Sequence, residues 1–287
     1  MEKEEMICCC FFFCMLLLRK VAMQLTKKQK MLERLKQFTM MDDDFMTRIF
    51  EDDKVLTQFM LNTILGRKNI WVIEEISQKV VKNLLGRSVR LDVFARDERG
   101  RPYDIEIQRA DKGAGAKRAR YYSALMDADE TVPNMEPEKL PESYVIFITQ
   151  NDIFKKGLPI YHIERVVKEC DKPFNDKMHI LYVNGKYRGD NQIGWLMHDF
   201  NCRNARDMKN KILADKVRYL KEADKGVKYM CKIMEDFAKE EREEANIETA
   251  VKLLKAGDMT EARVQEFFNF TEKQMKAVKE KLTEIKK

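Results

Sequence analysis

Asp92 and Glu106 lie on two runs of alternating character, Val89 to Ala95 and Tyr103 to Gln108, joined by the polar, glycine-containing link Arg96 to Arg101. Alternation on both arms around such a link is the pattern of a β-hairpin. A hairpin centred near Arg99 sets Asp92 across from Glu106, and directly opposed residues point to the same face of a sheet. On the second run Asp104, Glu106 and Gln108 share that face, while Tyr103, Ile105 and Ile107 share the other. Two opposed carboxylates repel unless a cation sits between them. A divalent metal is the economical answer, and hard oxygen ligands on a stiff strand pair suit Mg²⁺, with Mn²⁺ as a substitute. The blander alternative is an exposed sheet face on which the carboxylates simply meet solvent.

The surrounding elements must hold this pair in place. Thr26 to Phe38 is a basic, helix-prone stretch. The acidic run Asp42-Asp43-Asp44 then precedes apolar residues Phe45, Ile49, Val55, Phe59 and Leu61, whose spacing predicts helix up to Gly66. Strands are predicted over Trp71 to Val81, Val89 to Ala95, Tyr103 to Gln108, Tyr144 to Thr149 and His179 to Val183, with a helix from Ala116 to Met126 between the third and fourth. The order is α-β-β-β-α-β. Beyond about Arg206 the strand signals stop, and helices are expected over Val227 to Glu244, Ile247 to Lys255, Glu261 to Phe268 and Glu272 to Ile285. The residues around Thr260 and Thr271 read as helix caps. We expect three regions: an extension over 1–40, apolar and then a basic helix; a main domain over 41–205; and a helical region over 206–287 that packs, forms a homo-oligomer or touches DNA.

An acidic helix, a hairpin with Asp…Glu-x-Gln and a basic helix, in that order, resemble the core of the PD-(D/E)XK nucleases. With Gln108 at the third signature position, this variant resembles the PD-(D/E)XK family transposases, also called the Rpn family of recombination-promoting nucleases. It is carried by Met41 to Met46, Gly86 to Asp92, Asp104 to Arg109, Lys117 to Tyr122 and Leu158 to Arg165. The resemblance implies an α/β, restriction-endonuclease-like fold: a mixed sheet flanked by helices, here with a helical C-terminal extension. It implies Asp92 and Glu106 as metal ligands. Gln108 stands where the superfamily has Lys, which puts the catalytic rate in question. Asp44 resembles the acidic residue that completes such sites from the first helix, with a helix N-cap as its rival role and Glu51 as a competing candidate. The helix after Glu106 offers Lys117, Arg118, Arg120 and Tyr122, because helix N-termini attract phosphate and Arg118 and Tyr122 share a face. Its alternative is a solvated basic face with tyrosine packed below.

Composition sets the limits. With 44% hydrophobic and 36% charged residues the chain can build a core, and a mean hydropathy of −0.53 excludes a polytopic membrane protein. A formal charge of +6 permits a polyanionic partner without demanding one. Seven cysteines without a CxxC pair imply a reducing, cytoplasmic setting. The run Met6 to Leu18 is shorter than the roughly 20 residues of a spanning helix. It reads as an accessory extension, with Met23, Met40 and Met41 each able to begin the chain, and no stable membrane association is expected. His162, His179, His198, Asp176 and Asp199 receive no role. The function these features imply is Mg²⁺-dependent endonucleolytic cleavage of DNA, linked to recombination or transposition. The alternative is a DNA-binding or assembly protein that keeps the fold with a weakened site.

Overall fold

A computed structural model describes residues 28–83 and 86–284. The Cys- and Phe-rich run over 6–18 lies outside the described residues. Helix α1 spans 28–37. Next come α2 (Asp43–Phe50), α3 (Lys54–Ile64), β1 (Val72–Val81), β2 (Val89–Asp97) and β3 (Pro102–Gln108). After them run α4 (Ala116–Glu130), β4 (Ser143–Thr149), β5 (Ile160–Ile163), β6 (Val166–Val167), β7 (Lys172–Pro173) and β8 (Met178–Asn184). The remainder is α5 (Gln192–Phe200), α6 (Lys211–Glu222), α7 (Asp224–Ala256), α8 (Glu261–Phe268) and α9 (Glu272–Glu284).

Six strands form one mixed sheet in the order β1-β2-β3-β4-β8-β5. The first three are antiparallel, β3, β4 and β8 run parallel, and β5 returns antiparallel to β8. A parallel neighbour needs a crossover, and α4 supplies it between β3 and β4. The chain is mixed α/β, with helices flanking the sheet and a helical C-terminal region, as expected. The β2–β3 register pairs Phe94 with Asp104 and Arg96 with Pro102, which centres the hairpin on Arg99. At its tip Gly100 takes φ +78°, and buried Asp97 accepts bonds from the Arg99 and Arg101 amides, Arg101 Nε and the Tyr103 hydroxyl. Burial alone would raise the Asp97 carboxyl; the Arg101 and Tyr103 donors outweigh it and hold the group below its ordinary range.

Strand β3 is buried from Pro102 to Ile107, and β4 along its whole length. The carboxylates of β3 therefore do not face open solvent. On the α4 side of the sheet Phe94, Val145 and Phe147 pack with Tyr122, Leu125 and Met126.

Two compact units divide the described chain: 33–223, and 28–32 with the residues from Asp224 onward. The division falls at Ala223 rather than 205, because α6 buries Leu213, Val217 and Leu220. Helix α7 is continuous through Asn246, where two helices were expected; the helix penalty of one Asn is small. The C-terminal unit has its own core of Ala250, Val251, Val264, Phe270, Met275 and Val278. Both expected caps form: Thr260 accepts from the Arg263 amide, and Thr271 and Gln274 bond reciprocally. Helix α6 falls within the region expected to be helical, although its bounds are not given by the sequence pattern; helix α5 and strands β5 to β7 carry no clear sequence signal. No described helix is long and apolar enough to cross a membrane.

The segment before Met40 is also more than an extension. Leu35 is 1% exposed, and the Phe38 ring stacks on Phe45 at 6.0 Å. Lys221 Nζ donates to the carbonyls of Phe38 and Arg203, at 2.5 and 2.6 Å. Burial brings that ammonium down to about 8. A chain starting at Met40 should therefore be destabilised rather than unaffected. We expect Leu35→Ala alone to cost about 2–4 kcal/mol in urea unfolding, and an unchanged midpoint would contradict this packing.

Candidate active site

The β2–β3 ladder changes character beyond the Val93–Ile105 pair. The Asp92 amide donates to Glu106 Oε1 at 2.9 Å, and the Ile107 amide donates to Asp92 Oδ2 at 3.1 Å. Each carboxylate thus replaces a backbone carbonyl as the partner of the facing strand. The register that makes Asp92 and Glu106 opposite is the one expected from the sequence. Their burial is not: Glu106 is fully buried and Asp92 half-buried.

Burial and mutual charge act together here. Burial first, then the Asp92 carboxylate, raise Glu106 to about 7, against the opposing pull of Arg118. Burial likewise raises Asp92, with Asp43 adding to it. Asp104 is fully buried on the same face, and no donor meets either of its oxygens. Burial, then Glu106 and Asp92, push it well above the usual range. Sequence alternation puts Asp104 on this face, but only the parallel neighbour β4 and the crossover helix enclose it.

Gln108 is half-buried, and its Nε2 lies 3.4 Å from Glu106 Oε2. A Cβ at Gly113 would collide with Gln108 Oε1, so the glycine leaves room for the amide. Gln78 was not foreseen. It adopts φ +57° within β1, uncommon for a side-chain-bearing residue, and its Nε2 lies near Asp92 Oδ1 and Thr47 Oγ1, at 3.4 and 3.3 Å. Nothing in the sequence signals that inversion.

Asp42 occupies the N-cap position of α2, so Asp44 is not the cap. Among the acidic residues that open this helix, Asp43 rather than Asp44 lines the groove above the carboxylates. Glu51 ends the helix, paired with Arg48 at 2.5 Å. The groove encloses about 790 Å³, and its walls carry Arg87 and Arg90 from the β1–β2 side and Lys117, Arg118 and Tyr121 from α4. The Tyr121 hydroxyl joins these walls by donating to the Arg87 carbonyl. Arg120 is exposed on α4 and is not among the lining residues. Tyr122 is buried, its ring 6.4 Å from Phe147 and beneath the Arg118 guanidinium at 4.8 Å. Arg118 turns inward, its Nη2 3.1 Å from Glu106 Oε2.

Three carboxyls in one buried face with a single contacting guanidinium are short of positive charge. Their oxygen donors fit a hard divalent cation, which Asp92 and Glu106 could hold. A second cluster, His198, Asp199 and Cys202, is compact enough to hold a metal. There, however, Asp199 already accepts from the Lys209 amide, the Asn210 amide and the Asn210 side chain. Burial pushes the Cys202 thiol up to about 11, and this cluster ties α5 to the start of α6.

The raised Glu106 predicts a pH signature in the metal-free chain. Between its ordinary range and about 7, the folded state binds more protons than the unfolded state, so stability falls as pH rises through that window. Glu106→Gln should remove on the order of 1–3 kcal/mol of this dependence. Urea unfolding in EDTA at pH 5.5 and 8 reads it, and equal slopes in both proteins would contradict the assignment.

Compared with family models, residues 45–189 match the PD-(D/E)XK nuclease family transposases. That stretch spans half of the chain and includes both carboxylates, Gln108 and the first turns of α4. Neither the comparison with curated proteins nor that with solved structures gave a match. With a buried Asp…Glu-x-Gln site on the expected hairpin and a family match of this extent, the chain belongs to the PD-(D/E)XK nuclease family transposases.

Proposed function

We propose that this protein is a Mg²⁺-dependent DNA endonuclease that hydrolyses phosphodiester bonds in recombination or transposition. The observation that supports this most is the Asp92–Glu106 pair, fully buried Glu106 and half-buried Asp92, placed where β2 and β3 exchange carboxylates for carbonyls at a groove walled by Arg87, Arg90 and Lys117. Asp92 and Glu106 hold the metal in this reading, and Asp43 takes the place first given to Asp44 as the acid contributed by α2. A bound Mg²⁺, or Mn²⁺ in its place, supplies Lewis acidity and an acidified water.

The chain's own groups do the rest. Asp92 and Glu106 each accept one backbone amide on one oxygen, and the other oxygen meets only side chains, from Gln78 at Asp92 and from Arg118 and Gln108 at Glu106, which a cation can displace. Gln108 cannot take a proton near neutral pH, but its amide both donates and accepts, which suits orienting a water beside a phosphate oxygen. Lys117 and Arg120, on the first turns of α4, attract backbone phosphates at the positive end of the helix. Such contacts position a duplex without reading its bases.

Nicking of supercoiled plasmid tests the reading. The wild-type chain should nick in Mg²⁺ and stop in EDTA. Asp92→Ala and Glu106→Ala should each lose at least about a hundredfold, more than outer-sphere changes around metals usually cost. Lys117→Ala should weaken DNA binding equally across unrelated sequences and reduce its salt slope by about one unit. Binding without nicking in either Mg²⁺ or Mn²⁺ would favour a DNA-binding protein that retains the fold.

A further inference from the structure

Arg118 makes an unusual contact for a residue on the wall of a basic groove. It is the third residue of α4, and its side chain is about 38% exposed, yet one arm reaches Glu106, whose side chain is fully buried. Among the described residues this is the one ion pair made by Asp92, Asp104 or Glu106. The contact uses a single nitrogen, Nη2 to Oε2 at 3.1 Å, although a guanidinium can meet a carboxylate or phosphate with two parallel bonds. Arg118 Nε is buried and has no partner. The guanidinium rests over the Tyr122 ring at 4.8 Å, a contact that orients its plane. One charge-assisted bond therefore anchors a side chain whose fork is largely unspent and whose other neighbours are groove residues.

We propose that Arg118 is an exchangeable counter-ion: it neutralises Glu106 when no metal is bound, and metal binding releases it to take a phosphate of the nucleic acid in the groove. The inference rests on the reading of Glu106 as a metal ligand. A divalent cation and a guanidinium compete for the same Oε2 lone pairs, and their like charges repel at that spacing. Once displaced, Arg118 lies beside Lys117 in a groove that also carries Arg87 and Arg90; in this reading the cation occupies the acidic side of the groove, with Asp43 and Asp92, and an incoming phosphate supplies the bidentate partner. Metal and nucleic acid then bind cooperatively, because the metal makes available a cation that the empty site keeps occupied.

The test uses the full chain and two readouts other than cleavage. Mn²⁺ affinity is measured by electron paramagnetic resonance titration at neutral pH for the wild type, R118M and R118Q. K117M serves as a control that removes an equal charge without a contact to Glu106. DNA affinity is measured by fluorescence anisotropy in EDTA and in Ca²⁺. Loss of the competitor should tighten Mn²⁺ binding about tenfold in R118M and R118Q, the worth of one charge-assisted hydrogen bond, whereas K117M should change by less than about twofold. Ca²⁺ should strengthen DNA binding by the wild type about tenfold, within the usual range of such couplings, and both Arg118 variants should lose that gain while matching the wild type in EDTA. Equal or weaker Mn²⁺ binding in the Arg118 variants would overturn the exchange, as would equal tightening in K117M. An equal loss of DNA affinity in EDTA and in Ca²⁺ would also overturn it, making Arg118 a permanent clamp. Tighter Mn²⁺ binding in a chain that never nicks DNA would reject the endonuclease and leave the exchange standing. Mg²⁺-dependent nicking with unchanged Mn²⁺ affinity in R118M would do the reverse.

Discussion

Two carboxylates standing in for backbone carbonyls between β2 and β3 are the constraint around which the site is organised. An antiparallel ladder normally satisfies each amide with the facing carbonyl. Here Asp92 and Glu106 each accept from the other strand's backbone, so the strands stay joined while charge is gathered where they would otherwise close. The substitution keeps the buried amides paired, which the interior requires. It also fixes the carboxylates more firmly than free side chains on a pleated surface, because each is tied to a main-chain group at an immobile position.

That arrangement is electrostatically expensive, and the surroundings respond to the expense. Glu106 and Asp104 are enclosed by Phe94, Val145 and Phe147 on neighbouring strands and by α4. Burial raises both groups, and their proximity raises them further. A site of this kind binds protons or cations readily because it holds excess negative potential in a medium of low polarity. Arg118 supplies one positive charge from α4, and Gln78 and Gln108 bring amide groups close to the carboxylates. The positive φ of Gln78 is local strain beside the site, where its side-chain amide meets Asp92 and Thr47.

The groove also explains why the helix after β3 has two unlike surfaces. Tyr122, Leu125 and Met126 join the sheet's hydrophobic layer, whereas Lys117 and Arg120 remain exposed. A crossover helix between parallel strands must cover the sheet, so its position follows from topology. Its first turns consequently lie next to the carboxylate end of β3. Lys117 and Arg118 reach the groove through this connection rather than through any separate binding element, and Tyr121 ties the helix to the loop preceding β2.

The hairpin was legible in the sequence because period-two alternation and a glycine-containing link determine register locally. Those features alone bring Asp92 opposite Glu106 and put Asp104 and Gln108 on their face. The helices opening at Ala116, Glu261 and Glu272 were equally plain from spacing and capping residues. Tertiary structure decided what the faces meet. Burial of Asp104, exposure of Asp43 rather than Asp44 to the groove, and the inward turn of Arg118 all depend on neighbours distant in the chain. So do the burial of Leu35 and the role of Phe38, which meets Phe45 of α2 and, through its carbonyl, Lys221 of α6. Periodicity states which residues share a face of one element, while the partner of that face, and hence its polarity and charge, is set only when the sheet and its crossover helix pack together.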